Sequence, residues 1–198
     1  MLNDVEREHL FLLGLGRLPG VRYRPSDDVT PRLQRVLDAM ASSPALLSTV
    51  TWDVVAWNAA AAAVLTDYAK LPAAKRNVLR LVFLDPGSRA MNQDWESVAR
   101  FVVAVFRAGI PRAGAQAAVE PLVRELRGDS PDFVRIWDEG GVAGFGDGIK
   151  HLRRPIHGEI ALEYSAFAVD GRPDLTMLVF TPNRREDADR IRTLIVPA

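Results

Sequence analysis

The stretch 44–65, PALLSTVTWDVVAWNAAAAAVL, leaves this chain few architectures. Leu46, Leu47, Val50 and Trp52 supply the apolar positions of a first strand, and Val54, Val55, Ala56 and Trp57 form a second. Trp52-Asp53 falls at the turn between them. Asn58 is placed to cap the following helix, because its side-chain oxygen can accept from the free N–H groups of a first turn. The alanine run 59–63 then has the highest intrinsic helix propensity available. A hairpin that feeds straight into a helix lays that helix across one face of a sheet. The rest of the chain must supply further strands and their cover.

The flanking segments do so. Thr30-Pro31 opens a helix with a hydroxyl cap and proline in its first turn, and Leu33, Val36, Leu37 and Met40 share a face until Pro44. Beyond the alanine run, Leu71-Pro72 breaks the chain, and a short helix from Asn77 to Leu84 is stopped at Asp85-Pro86. A long helix opens near Asp94. Its stripe is Trp95, Val98, Ala99, Val102, Val105 and Phe106, with Phe101 and Val103 off that stripe. A helix apolar on more than one face needs more than one apolar neighbour. The segment 109–114 closes it, Val119, Leu122, Val123 and Leu126 mark another helix, and Ser130-Pro131 restarts the chain with Phe133, Ile136 and Trp137 inward.

Strands return after 140–148, a loop with five glycines in nine residues. The segment 149–156 is weak and edge-like, broken by Pro155. In 160–169, Ile160, Leu162, Tyr164 and Ala166 alternate against Glu163, Ser165 and Phe167. A turn at 171–174 leads to 175–181, a run apolar on both faces and therefore a central strand. A helix over 187–195 ends the chain. Two strands, a helical insert and three strands make an α+β fold: a PAS-like five-stranded antiparallel sheet with the insert covering one face.

Ahead of this unit, Asn3 and Glu6 form a capping-box pair for a helix to Leu13, with Val5, Leu10 and Leu13 on one face. Glycines, prolines and arginines between Gly14 and Asp28 read as linker. The 25 basic and 25 acidic side chains cancel, so no net field draws the chain to nucleic acid or a membrane. With no cysteine, disulfide and thiolate chemistry are excluded. The start MLNDVEREHLFLLG lacks the build of a secretory signal, and no run of about 18 apolar residues could span a bilayer. A cytoplasmic protein without a membrane partner is expected.

Catalytic patterns are scarce. His151 and His157 flank a weak strand with no cysteine or carboxylate at zinc-ligand spacing, and His9 stands apart. The loop Gly144-Phe145-Gly146-Asp147-Gly148 neither follows a strand nor opens a helix, so it fails as a phosphate loop. Asp85, Asp94 and Glu96 suit helix starts, where carboxylates meet free N–H groups. No enzyme, metal or cofactor is expected. What stands out is an apolar surplus around the insert: Phe83, Trp95, Phe101, Phe106, Phe133, Trp137, Tyr164, Phe167 and Phe180. Plain core is one explanation. A cavity between sheet and helices, with one or two polar groups to orient a ligand, is the other.

Five pieces decide how to weigh that surplus: WDVVAWN at 52–58, RNVLRLVFLDP at 76–86, DWE at 94–96, SPDFVRIW at 130–137 and RPIHGEIALEY at 154–164. In this order and spacing the chain resembles the ligand-binding domain of MmyB-like transcription regulators, in which a helix-turn-helix domain precedes a PAS-like sensor. The resemblance implies that 1–28 holds the last helix of a helix-turn-helix domain plus linker, and 29–198 the sensor domain. On this expectation the DNA-reading helix is absent from this chain, DNA is met only through that missing domain, and the chain works as a homodimer. It further implies a hydrophobic ligand of the long-chain acyl kind. We place the ligand contacts at Phe83, Trp95, Phe101, Val102, Phe106, Trp137, Tyr164 and Phe180, and a carboxylate donor at Arg80, with Arg100, Arg135 and the Tyr164 hydroxyl as alternatives. Arg154-Pro155 stands where relatives usually show His-Pro, and His157 where a small apolar residue is common; if either side chain touches ligand, specificity differs from theirs. The competing expectation is a ligand-free dimerisation or protein-interaction domain.

Overall fold

A computed structural model describes residues 4–16, 29–144, 148–154 and 158–195. The expected Asn3 cap, most of the linker to Asp28, part of the glycine loop, Pro155 and His157 lie outside the described residues. The helices are α1 (Asp4–Leu15), α2 (Pro31–Asp38), α3 (Ala59–Val64), α4 (Val78–Leu84), α5 (Pro86–Met91), α6 (Trp95–Ala113), α7 (Gln116–Asp129), α8 (Pro131–Asp138) and α9 (Arg185–Ile195). The strands are β1 (Ala45–Thr49), β2 (Val54–Trp57), β3 (Gly148–Arg154), β4 (Gly158–Val169) and β5 (Arg172–Pro182). They form one antiparallel sheet in the order β2-β1-β5-β4-β3. The fold is α+β and PAS-like. The doubly apolar strand takes the centre and the proline-flanked one an edge, as their patterns require.

Helix starts follow side-chain chemistry closely. Thr30, Asn58, Asp94 and Ser130 each accept a hydrogen bond from the backbone N–H three residues on. Such caps contribute about 1 kcal/mol each. Two expectations need correction. The first strand stops at Thr49, so Val50 and Trp52 belong to the turn, with Trp52 at φ 64°. Asp85-Pro86 does more than stop α4: the Asp85 carboxylate accepts from the Ser88 N–H at 2.6 Å and opens α5, a helix too short to show periodicity. Outside the insert, helices need not share its face. α2 covers the other side, burying Leu37 against Ala45, Leu47, Ala56 and Val179.

On the inner face, the register sets Leu46 beside Leu178 and Leu178 beside Ala166, with Tyr164 beside Phe180 and Leu152 beside Ile160. One apolar cluster joins this face to α3 and α9 through Leu46, Ala61, Val64, Leu152, Ile160, Leu162, Leu178 and Ile191. A second belongs to the insert: Trp52, Phe83, Trp95, Phe106, Leu126, Phe133 and Ile136 knit α4, α6, α7 and α8 together. Val78 of α4 touches both.

Candidate functional site

Where the two clusters face one another, burial is incomplete. Phe101 projects from α6 and meets Tyr164 of β4 at a ring-centroid distance of 5.1 Å. Phe180 lies beside Tyr164 on β5, and Ala166 follows on the same face. All four are half-buried. Large apolar side chains packed against a core cluster, as Phe101 and Phe180 are, would normally be sealed. Here they border a seam between the sheet and the insert.

The expected ligand contacts therefore separate into two groups. Phe101, Tyr164 and Phe180 stand at the seam. Phe83, Trp95, Val102, Phe106 and Trp137 form an apolar wall of the insert: Phe83 packs edge-on against Trp95 at 5.8 Å and against Phe133 at 5.1 Å, and Trp137 stacks on Phe133 at 5.3 Å. The Trp95 indole N–H donates to the Val82 carbonyl at 2.9 Å, and the Arg89 guanidinium sits 3.7 Å over its ring. Phe167, counted in the apolar surplus, is 48% exposed on the opposite face of the sheet. It does not border the seam.

The arginines considered as head-group donors are already occupied. Arg80 donates through Nε and Nη2 to Glu125 at 2.8 and 2.6 Å, and through Nη1 to the Ala74 carbonyl, which ties α4 to α7. Glu125 is held below the usual carboxylate range by that guanidinium. Arg100 and Arg135 both pair with Glu96 at 2.8 Å, and Arg135 also meets Asp132 at 3.3 Å. The Arg135 hydrogen bond lowers the Glu96 carboxyl to about 2.

One cation went unnoticed in the sequence. Lys150 of β3 pairs in register with Leu162, so its side chain shares the inner face. Burial pushes its ammonium down to about 8. The clue was Leu152: once its inward direction is fixed, period-2 alternation turns Lys150 inward too.

An open cleft of about 590 Å³ lies between the end of α3, α5 and β3, bordered by Leu65, Asp85, Ser88, Met91 and Arg154. Arg154 donates to the Ala63 carbonyl at 3.0 Å and to the Val64 carbonyl, closing the end of α3. It borders this cleft rather than the seam. Among the described residues no group of three or more His, Asp or Glu could hold a metal ion, and no helix is long and apolar enough to cross a membrane. His151 pairs with Glu159 at 2.9 Å on the exposed face of the edge strand.

No curated protein matches the chain. A family model does: that of the MmyB-like transcription regulator ligand binding domain, over residues 29–194.

Proposed function

The chain belongs to the MmyB-like transcription regulator ligand-binding family, and from this we propose that its seam admits a hydrophobic small molecule of the long-chain acyl kind. The observation that carries this reading is the half-burial of Phe101, packed on the insert's apolar cluster, and of Tyr164, Phe180 and Ala166 on the sheet face opposite it. An acyl tail laid along these side chains gains about 0.8 kcal/mol per buried CH₂, so an apolar passage suffices for affinity. Phe83, Trp95, Val102, Phe106 and Trp137 act as the wall behind Phe101. Arg80, held by Glu125, acts at one remove by fixing α4 against α7.

In this reading, residues 29–198 form the sensor unit, and 1–28 hold the last helix of a helix-turn-helix DNA-binding domain and the linker from it. The guest favours one arrangement of the insert helices. It shifts that balance only by its difference in affinity for the two arrangements. A homodimer would convert the shift into a change of spacing between paired DNA-binding domains. A protein-interaction role without ligand is favoured by one observation: Leu10, Leu12, Leu13 and Leu15 of α1 are 48–73% exposed.

Native mass spectrometry of the purified protein, followed by thermal melts with acids of graded chain length, separates the readings. A co-purifying acyl mass supports sensing. So does a melting rise of roughly 5–10 °C at a hundredfold excess of acid over Kd, since saturation of that order stabilises by about 2.7 kcal/mol. A clean apo mass with no shift for any chain length supports the interaction domain. Turnover of an acyl substrate would make the protein an enzyme.

A further inference from the structure

Strand β3 carries its side chains against expectation. Ile149 is 48% exposed on the outer face, while Lys150, next to it, points inward and is partly buried. Register enforces this: Gly148 lies opposite Tyr164, Lys150 opposite Leu162 and Leu152 opposite Ile160, and Leu152, Ile160 and Leu162 are fully buried. Lys150 is thus locked onto the face that borders the seam. No described residue hydrogen-bonds or ion-pairs with its ammonium. A desolvated charge without a partner is costly.

Tyr164 brings a hydroxyl beside Lys150. A side chain at Gly148 would place its Cβ 2.4 Å from the Tyr164 hydroxyl and 2.8 Å from the ring carbons. Glycine there lets the phenol lie across β3. Successive same-face positions on a strand are about 6.6 Å apart, so the hydroxyl and the Lys150 stem flank one small area. Phe101 and Phe180 continue from Tyr164 as an apolar track. Arg80, Arg100 and Arg135 are all engaged by carboxylates elsewhere.

We propose that Lys150, with the Tyr164 hydroxyl beside it, receives the carboxylate head of a fatty-acid guest whose tail runs along Phe101 and Phe180. This rests on the acyl-binding reading of the seam and adds to it a demand for a negatively charged head group. A partly buried ammonium with no counter-ion among the described residues is poised for such a partner, and the bond it forms is charge-assisted. The rival explanation is purely structural, because an inward lysine on an edge strand also discourages pairing with another chain.

The experiment measures binding of dodecanoate and of 1-dodecanol to the lipid-free full chain, as wild type, Lys150→Met and Lys150→Arg. Wild type should prefer the acid by about tenfold or more, the worth of a charge-assisted bond. Lys150→Met should bind the two probes equally while holding the wild-type affinity for the alcohol, and Lys150→Arg should restore the preference. Lys150→Met should also melt no lower than wild type, since it removes an unpaired charge. If Lys150→Met keeps the preference for acid, the head-group assignment is wrong while the acyl-binding reading stands; self-association of that variant would then assign the lysine to edge protection. If wild type binds neither probe, the reading of the seam fails, and this proposal with it.

Discussion

Asn58 does more than cap α3. Its carbonyl oxygen accepts from the Ala45 and Ala61 N–H groups at 3.0 and 2.9 Å, and its amide donates to the carbonyls of Leu37, Met40 and Ser43 at 2.9–3.1 Å. One buried side chain thereby pins the end of α2, the start of β1 and the start of α3. At an exposed cap Asn and Asp are equivalent. Here a carboxylate would face three carbonyl oxygens without a proton to offer. Asn58→Asp should therefore cost about 2 kcal/mol or more in urea unfolding at neutral pH, the penalty for buried groups left unpaired; a change below about 0.5 kcal/mol would reduce the residue to a plain cap. The cap was legible in the sequence from Asn58 and the alanine run. The hub was not, because its partners lie 13–21 residues away. The same limit hid Lys150, whose direction depends on pairing with Leu162 across the sheet.

Among the elements, the insert helices are tied on their outer side by an ion-pair chain. Arg89 of α5 meets Asp132 of α8 at 2.6 Å, Arg135 of α8 meets both Asp132 and Glu96, and Arg100 meets Glu96. Glu96 was legible as a helix-start carboxylate; that Arg135 would reach it across 39 residues was not. Glu96 and Asp132 are both held below their ordinary pKa, Glu96 to about 2 by the hydrogen bond from Arg135 and Asp132 by that from Arg89. The unfolded chain binds their protons more readily, so these bonds stabilise the fold above the ordinary carboxylate pKa of about 4 and fade as pH falls toward 2. Melting temperature should stay level from neutral pH to about 5 and then drop. Glu96→Gln should flatten that drop. Parallel profiles for wild type and variant would show that the exposed pairs contribute nothing, as many do.

At the scale of the molecule, the sheet centre, its proline-flanked edge and the helical insert were legible because hydrophobic period and cap chemistry are local. The separation of the insert's cluster from that on the inner face of the sheet was not, since it depends on how far α6 stands from the sheet. Both sides supplied aromatic residues, and composition cannot separate a filled interior from a bordered seam. Ala166 is the place to ask: small, half-buried and on the inner face of β4. The most direct measurement is dodecanoate affinity together with melting temperature for Ala166→Phe. If the seam holds space for a guest, the added ring occupies it, so melting is unchanged or raised and affinity falls at least tenfold. If protein already fills that space, the ring overpacks it at about 1–3 kcal/mol, and a lowered melting temperature with unaltered affinity would contradict the account.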